Sequence, residues 1–333
     1  MTVTGATKAG YLSLYSIDDP RDQPYLLSSN LNYAAGETVA NSVTVTVPYD
    51  GMISVYSSAG SPYAIIDVAG WYTDTAGYSD QKGGYHPLTP ERLLDTRRGL
   101  GGTTLSEGVV RELQVGGVGG VPANAKAVVF SLTGLNANKA TWMTAWPTGE
   151  TAPVVSNLNL TTGQIVANQV IVKLGTDGKV SLVNARGSLD AVADVTGWYD
   201  DGGADAATGF VYHAISPTRA IDTRNAPQQP LQGGVTRTYD LAALAGLPNV
   251  GVAAVTANVT ITQPSAAGWL TVWPANGEGP PTASLLNFAR AQTVPNLGSL
   301  TLHQNQANFA INTGTAHLLI DVTGWFGPPT PLA

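Results

Sequence analysis

The sequence predicts an all-β fold of tandem β-sandwich-like domains, and three observations lead to this prediction. The motif Asp-Val-x-Gly-Trp-(Tyr/Phe) occurs at residues 67–72, 194–199 and 321–326, so successive copies are 127 positions apart. Such regular spacing indicates an internal duplication. Apolar runs are short, often alternate with a period of two and are bounded by Gly, Pro, Asn or Asp, which is typical of strands. Charged residues make up 12% of the chain, about half the usual share, and surface helices need more.

Each repeat contains a segment that we call the body, which covers residues 2–72, 130–199 and 258–326. The body opens with Thr2-Val-Thr-Gly5 in repeat 1 and with residues 130–134 in repeat 2. A strand with two aromatic residues follows, then a Ser-x-Leu-Asn segment and a Val-x-Asn segment. Two further strands, such as 170–174 and 179–184, precede the motif at 194–199, which we interpret as the last strand of the domain.

A second segment, which we call the head, covers residues 85–129 and 212–257 and precedes the bodies of repeats 2 and 3. Residues 85–97 match residues 212–224, again 127 positions apart. Residues 241–247 are compatible with one helical turn. No head precedes the first body. A headless β domain leaves strand edges unpaired and core uncovered, so we expect either upstream sequence or another chain to supply the missing strands.

Two polar, Gly-rich segments, at 73–84 and 200–209, have the composition of linkers. They predict three domains. Residues 1–80 form an incomplete repeat that consists of the body only, residues 81–205 form repeat 2, and residues 206–333 form repeat 3.

The motifs Pro-x-Arg-x-x-Asp-Thr-Arg, Ser-Asn-Leu-Asn, Val-Ala-Asn and Asp-Val-x-Gly-Trp resemble a tandem β repeat of secreted and cell-surface proteins from actinobacteria and related bacteria. The resemblance covers nearly the whole chain. It implies an accessory or structural β module that is secreted or on the cell surface, and it carries no catalytic residues over. This chain departs from the family pattern in its missing first head and in a Trp that stands where Tyr is more common.

The amino-acid composition excludes several classes of partner and ligand. A net charge of −7 argues against nucleic acid, which requires a basic face. No apolar run is long enough for membrane insertion, and the absence of cysteine excludes disulfides and thiolate metal sites. The acidic clusters at 18–22 and 200–205 lack the spacing of a calcium loop. We therefore expect no metal and no cofactor.

An Asp-Thr-Arg element in both heads gives the first candidate site. Alternate residues of a strand share a face, so its Asp and Arg can pair. The planar guanidinium could clamp a carboxylate or a sugar, but we favour an ion-pair network that fixes the head to the body. The network residues are Arg92, Asp95, Arg97, Arg219, Asp222 and Arg224.

The aromatic-x-(Ser/Thr)-x-aromatic strands give the second candidate site. Its two aromatic side chains lie on one face, about 13 Å apart, and could form a platform for sugar rings. The alternative is that one or both pack inward, since each burial stabilises the fold by roughly 1.5–3 kcal/mol. The candidate residues are Tyr11, Tyr15, Trp142, Thr144, Trp146, Trp269, Thr271 and Trp273.

Two sets of repeated asparagines complete the candidates. They are Asn32, Asn159 and Asn287, and Asn41, Asn168 and Asn296. A buried Asn has two donors and an acceptor to satisfy and does so well by bridging backbone groups, so we expect a structural role.

Three function hypotheses follow. The first is a non-catalytic structural or adhesive module of an extracellular or cell-surface assembly, which binds copies of itself or other surface proteins and is completed at its first repeat by strand addition. The second is a carbohydrate-binding module that uses the aromatic strands to bind polysaccharide. The third, a hydrolase directed at the cell wall, is disfavoured because no enzyme signature is present and no acid pair recurs between repeats.

Overall fold

The structure is a computed structural model, and it describes residues 1–16, 29–48, 51–73, 83–202 and 209–329. About half of it (51%) is strand and 2% is helical, so the all-β prediction is confirmed. Most of both predicted linkers and the acidic cluster at 18–22 lie outside these residues. Within them, no helix is long and apolar enough to cross a membrane, and no three metal-binding side chains form a cluster.

Repeat 1 has six short strands. They are β1 (Thr2–Thr4), β2 (Gly10–Tyr15), β3 (Leu31–Tyr33), β4 (Val39–Ala40), β5 (Ser54–Ser57) and β6 (Tyr63–Ile65).

Repeat 2 has nine strands, and its longest ones are rich in Val, Leu and Thr, which suit a pleated, buried surface. They are β7 (Tyr85–Asp95), β8 (Leu105–Ser106), β9 (Val110–Gln114), β10 (Ala127–Leu135), β11 (Thr141–Pro147), β12 (Leu158–Leu160), β13 (Val166–Lys173), β14 (Lys179–Asn184) and β15 (Ser188–Tyr199).

Repeat 3 has the same order of strands, together with the predicted helical turn. The Asp240 side chain caps this helix, α1 (Leu241–Leu244), by accepting a 2.9 Å hydrogen bond from the Ala243 N–H. The strands are β16 (Val211–Asp222), β17 (Leu231–Gln232), β18 (Arg237–Asp240), β19 (Ala254–Thr262), β20 (Gly268–Pro274), β21 (Leu286–Phe288), β22 (Val294–Thr301), β23 (Gln306–Ile311) and β24 (Thr315–Gly327).

Each repeat contributes two antiparallel sheets. In repeat 2 the strand orders are β13-β10-β15-β7, with β8 beside β15, and β12-β11-β14-β9; repeat 3 repeats both orders. The two sheets share one apolar core, which in repeat 2 includes Phe130, Met143 and Leu182. In repeat 1 the orders are β4-β1-β6 and β3-β2-β5. Within the described residues, both sheets therefore end one strand short, on the side where β7 and β9 of the head stand in repeat 2.

The predicted arrangement as tandem sandwich domains is wrong. The six sheets are arranged as a six-bladed β-propeller, with two blades from each repeat. Strand β4 contacts β12, β13 contacts β21, and β22 contacts β3, so the last contact joins repeat 3 to repeat 1 and closes a ring. Strand alternation in a sequence reports which face of a strand is buried, but it does not report which neighbour covers that face.

Buried asparagines link the repeats at these contacts. The side-chain amides of Asn41 and Asn168 each donate to a backbone carbonyl of their own repeat, at 2.5 and 2.8 Å. Their side-chain oxygens accept N–H groups from a neighbouring repeat, from Leu297 at 3.1 Å and from Ser42 at 2.9 Å. Asn296 donates in the same way within repeat 3, but its oxygen has no partner among the described residues. The expected bridging of backbone groups thus occurs between repeats for Asn41 and Asn168. In the other set, the amides of Asn32 and Asn159 donate to the hydroxyls of Ser29 and Ser156, and the Asn287 amide nitrogen has no partner among the described residues.

Strand register shows where repeat 1 is incomplete. Thr2 pairs with Ala40 and Ile65, as Thr133 pairs with Ala167 and Val192 in repeat 2. Thr2 therefore stands at the position of Thr133, two residues later than the motif comparison indicated. In repeat 2, residues 127–131 of β10 and the head strand β7 flank the last strand. Neither has a counterpart in repeat 1, within the part of the chain that the structure describes.

Candidate functional site

The aromatic strands do not form the platform that the sequence suggests. In repeat 2 the three candidate side chains share a face of β11, but Trp146 and Thr144 are buried and only Trp142, 38% exposed, reaches solvent. The segment between β11 and β12 covers that face. It accepts hydrogen bonds from the Trp146 indole, at the Glu150 carbonyl (3.1 Å), and from the Thr144 hydroxyl, at the Val155 carbonyl (2.6 Å).

Repeat 3 shows the same arrangement. Trp273 and Thr271 are buried and donate to carbonyls of the covering segment, whereas Trp269 is 46% exposed. In repeat 1, Tyr11 and Tyr15 are partly exposed. Each of these strands in repeats 2 and 3 thus offers a single exposed aromatic ring, and the two-ring platform is absent there.

The Asp-Thr-Arg element forms an ion-pair network in repeat 2. Arg97 binds both carboxylate oxygens of buried Asp95, at 2.8 and 2.7 Å. Arg92 lies 3.5 Å from Asp95 and binds Asp194 of the last strand through two hydrogen bonds of 2.7 and 3.0 Å. Arg92 therefore joins a head carboxylate to a body carboxylate. Sequence reasoning missed the body residue, although its Asp recurs in all three last-strand motifs.

Repeat 3 has the equivalent network. Arg224 binds both oxygens of Asp222, at 2.8 and 2.6 Å, and Arg219 binds both Asp222 and Asp321. Hydrogen bonds from Arg224 lower the pKa of Asp222 to about 2. Burial instead raises the pKa of Asp321, because desolvation disfavours its charged form and the bonds from Arg219 offset only part of that effect.

The equivalent segment of repeat 1 is uncovered. Residues 63–71, which we call the open edge, expose Tyr63 by 74%, Val68 by 83% and Trp71 by 83%. Asp67 is also exposed, whereas its counterparts Asp194 and Asp321 are 0% and 3% exposed. Among the described residues, the open edge pairs in a ladder only at 63–65, with β1 on one side.

Heads cover the matching residues in the other two repeats. The His86 ring stacks on Trp198, with centroids 3.8 Å apart and planes 5° apart. His213 stacks on Trp325 at 4.0 Å and 17°. The Nε2 atom of His86 lies 2.6 Å from a carboxylate oxygen of Asp200, and this contact fixes the orientation of the imidazole ring. The Trp71 ring has no such cover and is exposed.

A glycine in the last strand shows how the space beside that strand differs between repeat 1 and the other two repeats. A Cβ atom on Gly197 would lie 2.3 Å from the Tyr85 hydroxyl oxygen, and one on Gly324 would lie 2.1 Å from that of Tyr212. The head tyrosine can therefore occupy its position only because the last strand has a glycine there. A Cβ atom on Gly70 would meet nothing within 4 Å, so the space that a head tyrosine fills in the other repeats is open here.

The end of the open edge is nevertheless anchored at the centre of the ring. The Tyr72 hydroxyl lies 2.6 Å from that of Tyr199. Its ring stacks on Tyr212 at 4.3 Å and meets Phe326 edge-on at 5.8 Å. The open edge is therefore held at one end by the pairing of β6 with β1 and at the other by the contacts of Tyr72.

Comparisons with known proteins provide no identity for the chain. No family model matches it, and no curated protein matches it. It is similar to the solved structure of the PBSX exported protein XepA, with 12% identity, a TM-score of 0.22 and coverage of 79% of this chain and 97% of that one. It is also similar to a T=3 Penaeus vannamei nodavirus, with 10% identity, a TM-score of 0.20 and coverage of 80% and 97%.

Proposed function

We propose that this chain is a non-catalytic structural module of an extracellular or cell-surface assembly, which it joins through the open edge. The observation that carries the proposal is the contrast between Trp71, 83% exposed, and its buried or stacked counterparts Trp198 and Trp325. Exposed apolar patches of this kind mark interaction sites, and unpaired strand edges are templates for another strand.

The free energy gained by burying apolar side chains favours association at this edge. Burying a large apolar side chain stabilises a contact by roughly 1.5–3 kcal/mol, and Val68, Trp71 and Tyr63 lie within nine residues of each other. Tyr72, which follows the edge, packs on Tyr199 and Tyr212, and an edge held at both ends loses less conformational entropy on binding. The single exposed ring on β11 or β20 does not favour the carbohydrate hypothesis over this one.

The test is the assembly state of the purified chain, measured by light scattering over a range of concentrations with negative-stain images of the same samples. We expect association that depends on concentration and is lost when Val68 and Trp71 are both replaced by Ser. A matched control variant replaces Val154 and Val250 by Ser. These side chains are 102% and 55% exposed and lie outside the open edge, so the control should associate as the wild type does. A wild type that is monomeric throughout, or association unaffected by the open-edge change, would contradict the proposal.

A further inference from the structure

We infer that the occupant of the open edge is a head-type strand, with an arginine that binds Asp67 and a histidine that stacks on Trp71. A head-type strand here means an extended segment with the pattern Tyr-His-(x)5-Arg, as at 85–92 and 212–219. The inference rests on the proposed function, because it takes the open edge as an interaction surface, and it adds the chemistry of the partner.

The two complete repeats specify the pairing residue by residue. In repeat 2 the last strand pairs Asp194 with Arg92, Trp198 with His86 and Tyr199 with Tyr85. In repeat 3 the same positions pair with Arg219, His213 and Tyr212. Residues 67–72 repeat the acceptor sequence at the same spacing. A strand in this register therefore brings its arginine to Asp67, its histidine to Trp71 and its tyrosine to Tyr72.

The charge of the acceptor selects the arginine. Asp194 and Asp321 each receive two hydrogen bonds from one guanidinium, a planar geometry that lysine cannot reproduce. Asp67 presents the same carboxylate, exposed to solvent. A partner arginine would convert this exposed carboxylate into the buried, bidentate pair of the other repeats.

The shape of the acceptor selects the aromatic residues. Gly70 leaves the space that a head tyrosine occupies in the other repeats. In those repeats, Tyr85 and Tyr212 also donate to the backbone carbonyls of Thr196 and Thr323, at 3.1 and 3.2 Å. The equivalent position in repeat 1 is Ala69, whose carbonyl needs no particular side chain. Gly70 therefore has a steric role only when a tyrosine packs on it.

A synthetic peptide of residues 85–97 serves as the probe. Binding to the full chain is measured by calorimetry and by the change in tryptophan fluorescence, and the signal of the Trp71→Phe variant isolates the contribution of Trp71. We expect saturable 1:1 binding. Asp67→Asn should weaken it by about ten-fold or more, since hydrogen bonds to charged groups contribute that much. Peptide with Arg92→Gln should lose a similar factor, and Asp67→Arg with an Arg92→Glu peptide should recover part of it.

Glu278→Gln is the matched control, because it removes one exposed carboxylate far along the chain and should leave the affinity unchanged. Failure of the peptide to bind would overturn this inference, and so would binding that Asp67→Asn leaves intact. If the peptide fails while wild-type copies still associate through Trp71, the assembly function stands and only the partner chemistry is wrong. If the peptide fails and the copies do not associate, both proposals are wrong.

Discussion

Replacing Asp194 by Ala should destabilise the protein strongly, whereas the same change at Asp67 should have little effect. The Asp194 side chain is fully buried and receives two hydrogen bonds from Arg92, which is itself only 17% exposed. Removing one partner of a buried ion pair leaves the other charge uncompensated and costs about 3–5 kcal/mol. At roughly 2–4 °C per kcal/mol, the melting temperature should fall by about 6–20 °C. Asp67 is exposed, and a surface change of this kind is usually within about 0.5 kcal/mol.

Thermal and urea denaturation, followed by near-ultraviolet circular dichroism, measure both variants. The comparison is well controlled because the two residues occupy equivalent positions in repeats 1 and 2 and undergo the same substitution. The reasoning would be refuted if Asp194→Ala cost less than about 0.5 kcal/mol or if Asp67→Ala were as costly as Asp194→Ala. The latter result would mean that repeat 1 is already closed in solution.

Three further predictions use the same internal comparisons. The pKa of Asp222 is lowered to about 2, so its stabilising effect is complete above the unfolded value and is lost as the pH falls from about 4 to 2; the Asn variant should show a flatter stability profile in acid. Gly197→Ala should destabilise by about 1–3 kcal/mol through overpacking against the head tyrosine, while Gly70→Ala should be neutral in urea denaturation. Trp146→Ala should cost about 3–5 kcal/mol, and Trp142→Ala should cost much less in the same assay.

Internal duplication made most of the fold class predictable. The three copies of the last-strand motif and the two copies of the head located the repeats, the missing first head and the order of strands. They did so because strand period and turn residues are local properties of the chain. Helix α1, capped by Asp240, was also visible locally as the stretch that follows β18.

Ring closure was not predictable, because it depends on contacts between distant segments. The hydrogen bond from Leu297 to Asn41 joins residues 256 positions apart, and no pattern in either segment specifies the other. The two-residue difference in the start of repeat 1 had a related cause. The sequence comparison matched Thr4-Gly5 with Thr133-Gly134, and only the ladder of Thr2 with Ile65 shows that Thr2 itself is equivalent to Thr133.

The candidate site was predictable in part. Residue spacing indicated the Asp-Thr-Arg network but not Asp194 and Asp321, its partners in the last strand, because a head residue and a body residue about 100 positions apart meet only in the fold. Spacing also placed Trp142 and Trp146 on one face correctly. It did not show that the segment following β11 covers the second ring, since the hydrogen bond that holds that segment goes to a backbone carbonyl.

Amide hydrogen exchange across the three last-strand segments tests the central claim most directly, because the chain contains its own controls. Residues 63–72, 190–199 and 317–326 are compared by mass spectrometry, with and without the peptide of residues 85–97. We predict fast exchange in 66–71 and slow exchange in both counterparts, and protection of 66–71 once the peptide is added. Equal protection of all three segments in the free chain would contradict the open edge, and the absence of added protection would contradict its role as an acceptor.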